Sequence, residues 1–252
     1  MEWVEKFYNQ QYKWMDLNDV EMLNAQQELL QKIGRLADQP GKKILELGGG
    51  KGYFAVAAAK QGYEVTVIEL IDEAAHYIQQ LAAKQNVSER LTILNGDFYT
   101  AKIPDVFDVV CYWDGFGIGS DADQQKLLNR IQNWLKPDGM ALIDVYTPWF
   151  WAKVAGQEMH LAENVVRKYD FDAMGCRMLD TWRNEEDAAE QATQSLRCYS
   201  PADFSLLTHD LDLTMITCEP GGAMDYDQGI YTEKAPLNEA LSYLVKLKVK
   251  RW

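Results

Sequence analysis

The chain has little positive charge. Its 25 lysines and arginines stand against 38 aspartates and glutamates, a net charge of −13 over 252 residues. Nucleic-acid binders carry a basic face that neutralises phosphates. The basic run KLKVKR, at 246–251, falls in an expected last strand. DNA and RNA are therefore disfavoured as partners. An acidic surface also repels anionic membranes. No run of about 18 apolar residues occurs, so no membrane-spanning helix is expected. The opening MEWVEKFYNQ lacks the basic flank and apolar stretch of a secretion signal, which predicts a cytoplasmic protein.

Metal-binding and redox side chains are equally sparse. The four cysteines, Cys111, Cys176, Cys198 and Cys218, are widely spaced and form no C-x-x-C pair. A zinc site or a disulfide framework needs closer pairing, so reduced thiols at apolar positions are expected. The three histidines, His76, His160 and His209, form no H-x-x-x-H, and no carboxylates cluster at ligand spacing. No metal is expected.

What is present is an alternation. Residues 1–40 read as helical, with Trp3, Phe7 and Tyr8 at helical spacing, up to a break at Pro40-Gly41. KKILEL reads as a buried strand, and 52–61 as an alanine-rich helix. Strands follow at 64–69, 91–95 and 107–113, with a helix over 71–86. Ser120 opens a helix to 135 with Asp123 as its capping-box partner. Pro137-Asp138-Gly139 reads as a turn, and 140–146 as a fifth strand. Such alternation predicts a parallel α/β sheet with crossover helices.

After Pro148 the pattern changes. WFWAKVAG reads as a helix, and 171–183 with 190–199 as a hairpin across the acidic loop NEEDAA. Ser200-Pro201-Ala202-Asp203 is a helix start, and LDLTMITCE with ALSYLVKLKV a closing pair of strands. The expected organisation is one domain over 1–252: a helical segment 1–40, a core 41–148, an insertion 149–199, and a C-terminal helix with closing strands over 200–252.

The stretch ILELGGGKGYF, 44–54, holds glycines that are costly to order. A phosphate loop needs G-x-x-x-x-G-K-[ST], but Gly50-Lys51 is followed by Gly52. A dinucleotide fingerprint needs a third glycine where Tyr53 stands. The pattern acid-x-G-x-G-x-G is met by Glu46, Gly48, Gly50 and Gly52.

On this motif the chain resembles the class I S-adenosylmethionine-dependent methyltransferases, well over 40–148 and in outline elsewhere. The resemblance implies a Rossmann-like α/β fold: an open sheet of about seven mostly parallel strands with helices on both faces, an N-terminal helical lid, and a substrate-cap insertion after the fifth strand. It implies S-adenosylmethionine as cofactor. Glu46 would face its amino group, and the glycines would let backbone pass under its methionine part, with Gly49 merely permissive. Glu69 ends the second strand, where an acid hydrogen-bonds ribose hydroxyls in nucleotide-binding folds; Leu70 lies beside it. Asp97 would accept from the adenine amino group, and Phe98 would pack on the ring. Tyr12, on the lid, would meet the cofactor's carboxylate, and Trp113 would wall the site.

The acceptor is expected past the fourth strand. Asp114 either orients and deprotonates it or caps the following loop. Tyr146 ends the fifth strand at the same edge. His160, in the insertion, is a further candidate base. Trp149 and Trp151 flank Phe150, and three consecutive large aromatics cannot all face one core from a helix. They form either an aromatic acceptor pocket or the packing of the insertion on the sheet. Arg197 either forks onto an acceptor carboxylate or pairs with the acidic loop. The implied activity is methyl transfer to oxygen or nitrogen of a small molecule. A protein-modifying enzyme and a non-catalytic partner subunit of the same fold are the alternatives.

Overall fold

The computed structural model describes residues 2–15, 17–37, 41–162, 164–187 and 189–250. Its centre is a seven-stranded sheet. The first half contains β1 (Lys43–Leu47), β2 (Glu64–Glu69), β3 (Leu91–Asn95), β4 (Phe107–Tyr112) and β5 (Leu135–Tyr146). The second half contributes β10 (Leu213–Pro220) and β13 (Ser242–Val249). The order is β10-β13-β5-β4-β1-β2-β3. β1 to β5 pair in parallel, while β13 runs antiparallel between β5 and β10.

The apolar run of β1 reflects cover on both faces. Successive strand side chains point opposite ways. Ile44 joins the layer of α3 (Gln27–Leu36), α4 (Tyr53–Lys60) and α5 (Asp72–Lys84). Leu45 and Leu47 join α6 (Asp121–Trp134) and α8 (Pro201–Leu207) on the other side. Small residues let α4 lie close to the sheet, and Ala55 to Ala59 are all buried. α6 and α8 begin on reciprocal capping boxes, Ser120 with Asp123 and Ser200 with Asp203.

Two expectations are corrected. Residues 137–139 do not leave the sheet as a turn. They run within β5 as an irregularity, because Phe107 and Val109 of β4 face Leu135 and Met140. The insertion is also larger than a hairpin. After α7 (Pro148–Lys153) come β6 (Glu158–Ala162), β7 (Val165–Asp172), β8 (Arg177–Asn184) and β9 (Gln191–Arg197), an antiparallel sheet in sequential order. The segment 171–183 crosses the β7–β8 turn rather than forming one strand. A small hairpin, β11 (Ala223–Asp225) with β12 (Ile230–Thr232), precedes β13.

The N-terminal region forms α1 (Glu2–Trp14), α2 (Asp19–Ala25) and α3. Pro40, in the expected break, lies outside the described residues. α1 packs on the second sheet: Phe7 meets Trp182 edge-to-face at 6.3 Å, and Gln194 Nε2 donates to Tyr8 Oη at 2.7 Å. Among the described residues no helix is long and apolar enough to cross a membrane.

Candidate active site

The strand order reverses at β1, which lies between β2 and β4. In open α/β sheets ligands bind at such a switch point, beyond the carboxyl ends of the strands. The glycine turn leaves β1 there. Gly48 and Gly50 have φ of 63° and 55°, the left-handed region that favours glycine. Both border a cavity of about 300 Å³. A Cβ on Gly50 would lie 3.2 Å from Tyr12 Oη, so bare backbone keeps this wall open.

The carboxylates around the turn are ordered by backbone donors. Glu69 is 4% exposed and borders the cavity. The Gly50 amide donates to its Oε2 at 2.7 Å and the Ile71 amide to its Oε1 at 2.8 Å. Burial pushes this carboxyl up to about 7, and those amides limit the rise. Asp97 borders the same cavity and accepts from the Tyr99 amide at 2.7 Å. Phe98 stands beside it, 5.4 Å from the Tyr112 ring. Leu70, Trp113 and Tyr12, also expected, line the wall, as do Val4, Tyr8 and Gln11 of α1 and Met15 just beyond it.

Two expectations at the turn, for Gly52 and Gly49, differ. Gly52 does not border the cavity: it caps α4, and a Cβ there would meet Ile78 Cγ1 at 2.6 Å, so its bareness lets α4 pack on α5. Gly49 is not merely permissive, since a Cβ there would collide with Val67 Cγ2. Glu46 is buried behind the turn, and its Oε2 has no hydrogen-bond partner. Burial, with Glu69's charge, holds the Glu46 carboxyl well above its usual range.

Past β4 the backbone turns at Asp114, with φ of 50°. Tyr146 Oη donates to Asp114 Oδ1. Asp114 opens onto the cavity while protein encloses its other sides. That enclosure raises its carboxyl; the Tyr146 hydroxyl and the Arg167 charge oppose the rise. Arg167 itself is forked onto the buried Asp180, at 2.9 and 2.7 Å. A second cavity, of about 990 Å³, shares Trp113 and Asp114 with the first.

Residues 23–217 match the family model of the methyltransferase domain. The chain belongs to that family. The release factor glutamine methyltransferase of Rhodopirellula baltica is 35% identical over 81 residues, 31% of this chain and 27% of that protein. The chain thus aligns with about a quarter of that relative's length. The CcbJ methyltransferase of Streptomyces caelestis superposes with a TM-score of 0.73 at 16% identity, over 94% of both chains. A S-adenosylmethionine-dependent methyltransferase of Clostridium acetobutylicum ATCC 824 superposes with a TM-score of 0.72 at 13% identity, again over 94% of both. At these identities the likeness is one of fold.

The methyltransferase domain leaves the other acceptor candidates away from both cavities. His160 lies on the outer strand β6, 65% exposed, with Nδ1 3.7 Å from Glu185 Oε2. Trp151 is buried: its indole donates to the Leu241 carbonyl at 3.1 Å, and its ring packs on Tyr146 and Tyr169. Trp149 packs in the same cluster. These aromatics join the insertion to the sheet instead of lining a pocket. Arg197 binds Asp121 at 3.2 Å and stacks on Tyr199, so its partner is α6 rather than the NEEDAA loop. Lys51, Tyr99 and Ile118 border the first cavity and were not singled out in the sequence. Lys51 sits inside the glycine motif, which was its available signal.

Proposed function

We propose that the protein binds S-adenosylmethionine at the β1–β4 switch point and transfers its methyl group to oxygen or nitrogen of a small molecule. One observation carries this reading: the bare turn at Gly48 and Gly50 lines one cavity together with the Glu69 and Asp97 carboxylates. The donor set fits the cofactor. Glu69 keeps lone pairs for ribose hydroxyls beyond its two backbone bonds. Asp97 suits the adenine amino group, with Phe98 on the ring. Glu46 Oε2, buried without a partner, is an acceptor for the cofactor's amino group, directly or through water.

The cofactor, when bound, supplies an electrophilic methyl on a sulfonium. The chain's own work is orientation and exclusion of water. α1 covers the cavity through Tyr8 and Tyr12, and aromatic faces suit a cationic sulfonium. Asp114, held by Tyr146, stands where both cavities meet and takes the acceptor's proton.

The Rhodopirellula relative is named for a protein acceptor, which makes a protein substrate the second reading. The lid formed by α1 and the walled second cavity favour a small molecule. Calorimetric titration with S-adenosylmethionine tests the cofactor; absence of binding would sink the proposal. Release of S-adenosylhomocysteine with a metabolite pool, against release with a protein extract, separates the two acceptor classes.

A further inference from the structure

The larger cavity has walls of its own. Beyond Trp113 and Asp114 it is bounded by α3, by Asp144 of β5, by the start of β13, and by the segment 219–235. It therefore meets the cofactor cavity at the carboxyl end of β4.

Its charges are unevenly matched. Lys32 pairs with Glu28 at 2.8 Å, and Arg35 forks onto Glu219 at 2.9 and 2.7 Å. The cations of α3 that border the cavity are thus each answered by a carboxylate. Lys234 acts on Glu219 as well, and Glu233 adds a further carboxylate. Asp114 and Asp144 remain. Among the described residues neither makes an ion pair: Asp114 accepts from a phenol, and Asp144 is relieved by the Ser242 hydroxyl and more distantly by Lys32. Burial and the Asp114 charge push Asp144 up to about 7. That is the behaviour of a carboxylate short of positive charge. Trp113 and Tyr231 add aromatic faces, which attract cations.

We infer that this cavity is the acceptor site and takes a small diamine, with one ammonium held by Asp144 and the reacting nitrogen beside Asp114. The inference rests on the methyl-transfer reading for its chemistry, and on the cavity and its charges for its ligand. The reacting nitrogen enters as the free base. Its lone pair forms the carbon–nitrogen bond as the carbon–sulfur bond breaks, and that electron pair leaves on sulfur as a neutral thioether. The nitrogen, now positive, releases a proton to the Asp114 carboxylate.

The test uses putrescine and 1,4-butanediol, in which hydroxyls replace both amines, titrated against the full chain. Putrescine should bind at least about tenfold more tightly, the effect of one charged hydrogen bond. Asp144→Asn should reduce that difference while leaving the affinity for S-adenosylmethionine unchanged, which also shows that the variant is folded. Equal binding of the two probes by the wild type would overturn the inference. So would putrescine affinity unaltered by Asp144→Asn. Putrescine discrimination without S-adenosylmethionine binding would support the amine site and sink the methyl-transfer reading.

Discussion

The Gly50 amide donates to Glu69 Oε2 at 2.7 Å, so the glycine turn and the end of β2 form one hydrogen-bonded unit. The same Gly50 amide and the Ile71 amide hold both Glu69 oxygens before any ligand arrives. The carboxylate is pre-oriented, and its remaining lone pairs face the cavity. Glu69→Ala should weaken S-adenosylmethionine binding by one to two orders of magnitude, about 1.5–3 kcal/mol for charged hydrogen bonds. Calorimetry on the folded variant checks this, and unchanged affinity would remove Glu69 from the ribose.

Glu69 also predicts a pH dependence. Its carboxyl rises from an ordinary 4.5 to about 7 in the folded chain, because burial disfavours the charge. The folded state thus keeps a proton that the unfolded chain has lost. The associated stability is fully present below about 4.5 and is lost as pH rises to about 7. Its size is on the order of 3 kcal/mol. Glu69→Gln should flatten that part of the stability profile in denaturant titrations. Cofactor binding needs the ionised form, so affinity should climb with pH through about 7 and level off above it. A profile that is flat in both experiments would contradict the assignment.

The glycines should separate by role. Gly50→Val places a side chain against Tyr12 at the cavity wall and a β-branched residue at a φ of 55°, so binding should be lost even in the fraction that stays folded. Gly49→Ala and Gly52→Ala instead drive a Cβ into Val67 and Ile78, behind the wall. Overpacking of this kind typically costs about 1–3 kcal/mol. Thermal melts with cofactor titration distinguish the two patterns. Normal binding by residual folded Gly50→Val would show that this glycine serves the fold alone.

Asp114→Asn keeps the shape and removes the charge. Turnover at saturating cofactor should fall by about 10²–10⁴-fold if Asp114 takes the acceptor's proton. Cofactor affinity should persist. Tyr146→Phe, which removes the donor to Asp114, should lower turnover less. His160→Ala, on an exposed edge strand, should leave turnover unchanged. Wild-type turnover in Asp114→Asn would leave catalysis to proximity.

Asp180 is fully buried, and its carboxylate receives both the Arg167 fork and the Trp182 indole. Removing one partner of a buried pair strands the other charge and costs about 3–5 kcal/mol. Asp180→Ala should therefore destabilise the insertion strongly, as read by denaturant unfolding. A change below about 1 kcal/mol would show that water replaces the carboxylate.

Much of the core was legible because its signals are local. β2 and β3 have the bounds expected, and Ser120 and Ser200 start helices through side-chain bonds within one turn. The insertion was harder to read. β6 is an exposed edge strand with little apolar alternation, so its sequence carries no clear period of two. Residues 137–139 have turn composition, yet pairing with β4 keeps them in the sheet.

By itself the sequence determined the alternating α/β core and the ladder of Glu46, the glycines, Glu69 and Asp97. These sit at or just beyond the carboxyl ends of successive strands, so their order along the chain already aligns them on one edge of a parallel sheet. Tertiary structure alone decided which glycines border the cavity, because Val67 and Ile78 approach Gly49 and Gly52 from elements formed later in the chain. It also decided that Trp151 supports Tyr146 from within the core. The large cavity is the strongest case: α3, Asp144 and the segment after Glu219 are remote in sequence. They become its walls only when β13 slots between β5 and β10 and brings that segment against α3 through the Arg35–Glu219 pair.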